Sequence, residues 1–135
     1  MKIRLSLFIL AGFLLLSARA AERAAEGLLD GTAWTVQAVP TVETSNKGAK
    51  RFDDVLTFAG GKASSRELQR SGIGPVAYTA TGTKDFMNWE TVPVLQARGK
   101  AQWDGVIKEQ DIKGNLKWVT KSGEVRYFFI NGKKR

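Results

Sequence analysis

The residue types that most often carry enzymatic chemistry are missing from this chain. It has no histidine and no cysteine, which removes Ser-His-Asp and Cys-His nucleophile arrangements, zinc sites built on nitrogen or sulfur and the usual base near neutral pH. Carboxylates, lysine and tyrosine remain. Two carboxyl groups about 5 to 9 Å apart in a cleft could hydrolyse a glycoside. The only acid that strand register turns inward is Glu90, which has no evident acidic partner, so the chain reads as non-catalytic, with Glu90 solvated at a rim. Asp53-Asp54 lack the compact run of six to eight oxygens that calcium needs and read as strand-start acids. Gly72-Ile73-Gly74-Pro75 lacks the helix and lysine of a phosphate loop and reads as a turn. Neither a cofactor nor a metal is expected.

The aromatic residues are the remaining candidates. Trp34, Trp103 and Trp118 are expected on an inner face, where a small domain without disulfides depends on burying large rings. The competing reading is that they line an apolar cavity between strand ends. In that reading Trp103, Trp118, Tyr127 and Phe129 form the wall of a ligand site. Trp89, beside Asn88, is expected to be partly exposed and open to a partner.

These side chains must be positioned by strands. From residue 32 onward the apolar pattern has period two, with β-branched and aromatic runs separated by glycine-bearing turns, the spacing of an all-β sandwich or barrel. Eight strands are expected at about Thr32–Val39, Asp54–Ala59, Lys62–Leu68, Val76–Thr81, Phe86–Leu95, Lys100–Ile107, Asp111–Thr120 and Glu124–Asn131. Gly60-Gly61, Arg98-Gly99, Glu109-Gln110 and Ser122-Gly123 read as two-residue hairpin turns. With turns at Glu109-Gln110 and Ser122-Gly123, Trp103 faces Leu116, Gly105 faces Gly114, Trp118 faces Tyr127 and Leu116 faces Phe129. That register gathers Trp103, Ile107, Ile112, Leu116, Trp118, Tyr127 and Phe129 on one face and leaves Arg126, Phe128 and Ile130 outside. Trp34, Val36 and Ala38 likewise share a face, as do Leu56 and Phe58. Gly105 and Gly114 would leave a gap that a ring from across the barrel, or a ligand, could fill. With no helix-length amphipathic pattern between strands, the order is antiparallel. The expected fold is an eight-stranded antiparallel up-and-down barrel, with a short helix over Ala21–Leu29; a sandwich is the alternative.

The N-terminus reads as a removable secretory signal over residues 1–20: Lys2 and Arg4, an apolar run from Leu5 to Leu16, then Ala18-Arg19-Ala20. An uncleaved anchor is the alternative, although the run falls short of the ~20 apolar residues of a spanning helix. Residues 21–135 are then one barrel domain, periplasmic or secreted. Lys2, Arg4 and Arg19 leave with the signal, which takes the net charge from +8 to +5. The basic residues are scattered rather than clustered, so nucleic acid is not the expected partner; Lys47–Arg51 and the Lys133-Lys134-Arg135 tail read as solvated.

Gly31-Thr32-Ala33-Trp34 on the first strand, followed by a meander of hairpins, resembles the opening of the lipocalin and avidin-like barrels grouped as calycins, with one more residue between glycine and tryptophan. Gln102-Trp103-Asp104-Gly105-Val106 resembles a strand motif of the avidin-like members. The resemblance implies a closed eight-stranded barrel and a basic side chain from the last strand over Trp34, by position Arg126. It carries over no biotin-binding set. The chain also resembles secreted bacterial proteins with W-x-G and I-x-G-x-L-x-W hairpins, which imply no activity. The functions expected are a small apolar or amphipathic ligand held inside the barrel or, alternatively, interaction with an envelope protein through loops or surface around a solid core.

Overall fold

The computed structural model describes residues 27–135. The expected signal segment over residues 1–20 and residues 21–26 of the expected N-terminal helix lie outside that range, and residues 27–31 form a turn rather than a helix. Eight antiparallel strands close into a barrel in chain order: β1 (Thr32–Pro40), β2 (Phe52–Ala59), β3 (Lys62–Ser65), β4 (Val76–Gly82), β5 (Phe86–Thr91), β6 (Gly99–Lys108), β7 (Asp111–Thr120) and β8 (Val125–Lys134). β1 pairs with both β2 and β8, so no row of backbone N–H and C=O groups is left at an edge, and the sandwich alternative is excluded. Because strand direction alternates, the β1–β2, β3–β4, β5–β6 and β7–β8 links all leave from one end, the loop end. The Gly60-Gly61 and Glu109-Gln110 turns, the β4–β5 link and the C-terminus gather at the other.

Two short helices sit in the loop-end links. α1 (Val42–Asn46) starts at Thr41, whose hydroxyl accepts the Thr44 N–H, and α2 (Arg66–Arg70) starts at Ser65, whose hydroxyl accepts the Leu68 N–H at 3.1 Å. The strand expected to run on to Leu68 therefore stops at Ser65, where a hydroxyl cap offers the backbone an alternative to the ladder. The strand expected to reach Leu95 stops at Thr91, and the following turn is Ala97-Arg98, closed by the Gln96–Gly99 pair. That changes the count between β5 and β6, so Met87 faces Ile107 and Glu90 faces Asp104. Glu90 is consequently exposed on the outer face, and Trp89 is buried rather than partly exposed.

The core is the inside of the barrel. Trp34, Val36 and Ala38 from β1, Leu56 and Phe58 from β2, and Trp103, Ile107, Ile112 and Leu116 from β6 and β7 are buried, as the alternation implies. Phe58 holds the centre, edge-on to Tyr78 at 4.9 Å and to Trp89 at 5.2 Å. The β6–β7 register matches the one expected from the Glu109-Gln110 turn, with Trp103 opposite Leu116 and Gly105 opposite Gly114. The facing glycines leave no gap: a Cβ at Gly105 would lie 2.2 Å from the Lys113 carbonyl oxygen, and one at Gly114 2.1 Å from that of Asp104. The backbones close in where side chains are missing, and Trp89 lies beside Gly105 on β5.

The β7–β8 hairpin departs from expectation. Its loop has three residues, Lys121–Gly123, with the Gly123 N–H donating to the Thr120 carbonyl and the Thr120 N–H to the Glu124 carbonyl, both at 2.9 Å. Gly123 has φ +87°, the left-handed position that a three-residue hairpin places on glycine. One extra residue flips every side chain of the following strand. Trp118 therefore faces Arg126, Leu116 faces Phe128 and Gly114 faces Ile130. Phe128 and Ile130, expected outside, are 3% exposed core residues, with Phe128 edge-on to Phe52 at 5.1 Å.

Candidate functional site

The four residues expected to line one ligand wall occupy three different environments. Trp103 is fully buried on β6, and Trp118 is half-buried near the loop end of β7. Tyr127 and Phe129 project from the outer face of β8, 45% and 55% exposed, because the three-residue loop moved them across the sheet. The barrel brings Trp103 and Trp118 onto one inner face and separates them from Tyr127 and Phe129.

On that inner face, register places Trp89, Trp103, Trp118 and Arg126 on a diagonal across β5 to β8. The indole N–H groups of all three tryptophans and the Arg126 Nε meet no acceptor among the described residues. A buried donor left without a partner costs about 1 to 3 kcal/mol. The Arg126 guanidinium instead lies 5.2 Å from the centre of the Trp118 ring and pairs with Glu124 at 3.1 Å. It does not reach over Trp34: the basic residue beside Trp34 on β8 is Lys134, its direct cross-strand partner. The resemblance named Arg126 by its place on the last strand, but Arg126 lies opposite Trp118 near the start of β8, eight residues before Lys134.

Two buried polar sites tie the frame. Asp54 points inward, since it shares parity with Leu56 and Phe58, a signal present in the sequence that the reading as a strand-start acid overlooked. Its carboxylate accepts the Ser65 hydroxyl, the Glu67 N–H at 3.0 Å and the Val55 N–H at 2.8 Å, which fixes the start of α2 to the wall. At the turn end the Tyr78 hydroxyl donates to Asp30 at 2.6 Å, and Asp30 also accepts the Gly61 N–H at 3.1 Å. Burial, with the Asp30 hydrogen bond and charge added, pushes the Tyr78 hydroxyl well above its usual range. Both acids act as anchors. Among the described residues no three acidic side chains gather into a metal-ligand cluster.

The outer face of β6–β8 is the more open surface. Tyr127 borders a groove of about 560 Å³ between α1 and the sheet, with Val42, Glu43, Gln102, Asp104, Asn115 and Lys117 also lining it. Tyr127 is held there through its backbone: its N–H donates to the Thr44 hydroxyl and its carbonyl accepts the Thr41 N–H, both at 3.0 Å. Lys117 Nζ lies 6.0 Å from the Tyr127 ring centre. Lys133 is paired with Asp111 at 2.6 Å, and that hydrogen bond, with the lysine charge, holds the Asp111 carboxyl below its usual range. Lys113 and Lys117 make no ion pair among the described residues. Exposed rings beside lysines that make no ion pair suit a partly apolar partner with acidic groups, although Glu43 and Asp104 line the same groove. No protein-family model, curated protein or solved structure matches the chain.

Proposed function

We propose that the protein is an exported, non-catalytic interaction domain of the cell envelope, a calycin-like barrel with a solid core that takes an acidic segment of a partner protein on the outer face of β6–β8. One observation carries this reading. On the inner face Trp89, Trp103, Leu116 and Phe128 are at most 3% exposed and Trp118 is half-buried, while Tyr127 and Phe129 stand on the outside, 45% and 55% exposed, on the same face as Lys113 and Lys117. Exposed aromatics with cations beside them are the composition of recognition surfaces. The calycin likeness is supported by strand number and closure, and by Trp34 buried on β1 with Lys134 as its neighbour on the last strand.

A second reading, a small amphipathic ligand entering at the loop end, is favoured by the unpartnered Trp118 and Arg126 donors, which a carboxylate head group would satisfy. Chemical-shift mapping on the ¹⁵N-labelled chain separates the two, with a series of acidic peptides in one titration and laurate in the other. Shifts at Lys113, Lys117, Tyr127 and Phe129 with peptide sustain the first reading. Shifts confined to Trp103, Trp118 and Phe128 with laurate overturn it in favour of the second.

A further inference from the structure

We propose that the loop end of the barrel is a docking surface for an anionic phospholipid bilayer, with the β5–β6 loop as the inserted tip and arginine and lysine side chains of the neighbouring links as the head-group contacts. This rests on different residues from the outer-face reading and stands or falls separately.

The tip is Val92-Pro93-Val94-Leu95. All four residues are exposed, Leu95 at 80%. A run of exposed apolar residues in a link is a liability in a solvated loop unless it has a use. The loop is also held in place. The Gln96 side chain accepts the Gly74 N–H at 2.7 Å and donates to the Gly74 carbonyl at 3.3 Å. Gln96 and Gly99 close the turn behind it with backbone bonds of 2.9 and 3.2 Å. The stem of Arg98 lies against Gly72, where a Cβ would come within 2.4 Å of the Arg98 Cγ. Two adjacent links are thus stapled together at the base of the apolar tip, which lowers the ordering cost at binding.

Charge supplies the second half of the argument. Arg98 belongs to one of the two stapled links, and Lys47, Lys50, Arg51 and Lys121 are exposed on the other links at the same end. The acids there are fewer: Glu67 is engaged by Arg70 at 3.0 Å and Glu124 by Arg126 at 3.1 Å, leaving Glu43 and Asp53 without an ion pair among the described residues. An apolar tip among cations fits an interface whose hydrocarbon accepts the one and whose anionic head groups attract the other. The tip is exposed along its length, and none of four grooves on the described surface includes residues 92–95. A fluid bilayer reshapes around such a tip, whereas a protein partner would need a matching pocket.

The test is sedimentation of the full chain, as recovered from an exporting host, with vesicles of phosphatidylcholine alone and of phosphatidylcholine with about one-third phosphatidylglycerol. Any contribution from residues 1–20 is common to wild type and variants. Binding to the anionic vesicles is expected to be roughly tenfold stronger than to neutral ones and to weaken in high salt. Leu95→Asp and Arg98→Glu should each lower it about tenfold, an energy difference of ~1.4 kcal/mol; Phe129→Ser, on a different face, should leave it unchanged. A dye on Val94→Cys, the only cysteine in that variant, should shift to the blue on anionic vesicles alone. Absence of binding to both vesicle types, equal binding to both, or Leu95→Asp binding as wild type overturns the proposal; unchanged circular dichroism of the variants excludes misfolding as the cause.

Discussion

The two hairpins that share β7 have different geometries. β6 and β7 turn through Glu109-Gln110, and their backbones close in at Gly105 and Gly114. β7 and β8 turn through three residues with Gly123 left-handed. In the first, each residue faces the partner that a two-residue turn dictates. In the second, one added residue moves Phe128 and Ile130 into the core and releases Tyr127 and Phe129 to solvent. Loop length, rather than strand composition, decides which aromatics stabilise this barrel and which are free to meet a partner, since Phe128 and Phe129 are adjacent and chemically identical.

That contrast is most directly broken by truncating the two rings in turn. Phe128→Ala should lower the stability measured by urea unfolding by about 3 to 5 kcal/mol, the cost of emptying a buried ring, and Phe129→Ala should change it by less than about 0.5 kcal/mol. Equal losses would mean that the register is wrong. Next in size is Gly114→Ala, whose Cβ would meet the Asp104 carbonyl backbone; forcing the strands apart should cost about 3 kcal/mol in the same assay. The turns differ by less. Gly123→Ala should destabilise by about 1 kcal/mol because an L residue is strained at its φ, while Glu109→Gly should stabilise by up to about 1 kcal/mol, since Glu109 already sits at φ +56°.

The smallest effect concerns the clamp between the start of β7 and the end of β8. Asp111 has its pKa lowered by Lys133, so its contribution is present at neutral pH and is lost as pH falls through the folded-state value, below the usual carboxylate range. Melting temperatures of wild type and Lys133→Met should differ slightly at pH 7 and converge in acid. A gap that persists at low pH would assign the effect to packing of the lysine stem rather than to charge.

Much of the frame was legible because period two is a local signal. Trp34, Val36 and Ala38, the pair Leu56 and Phe58, and the Gly60-Gly61 turn with both φ positive all follow from neighbours in the chain. The helix α2 was harder to see because Lys62–Leu68 continues the alternation of a strand, although Ser65 before Arg66-Glu67 is a capping pattern. The outer-face aromatics were missed for a sharper reason. Ser122-Gly123 and Lys121-Ser122-Gly123 are both acceptable turns, and the choice between them inverts the faces of β8.

By itself the sequence determined the number of strands, their antiparallel order and the inward residues of β1, β2, β6 and β7, because each depends on residues a few positions apart. Only the tertiary structure decided the facing of β8. When the barrel closes, Ala38 pairs with Ile130 and Pro40 with Phe128, so the inner parity of β1 is imposed on β8 from across the seam. That contact joins the two ends of the sheet, about ninety positions apart in the chain, and it is the burial of Phe128 and Ile130 against the existing core that selects the longer loop.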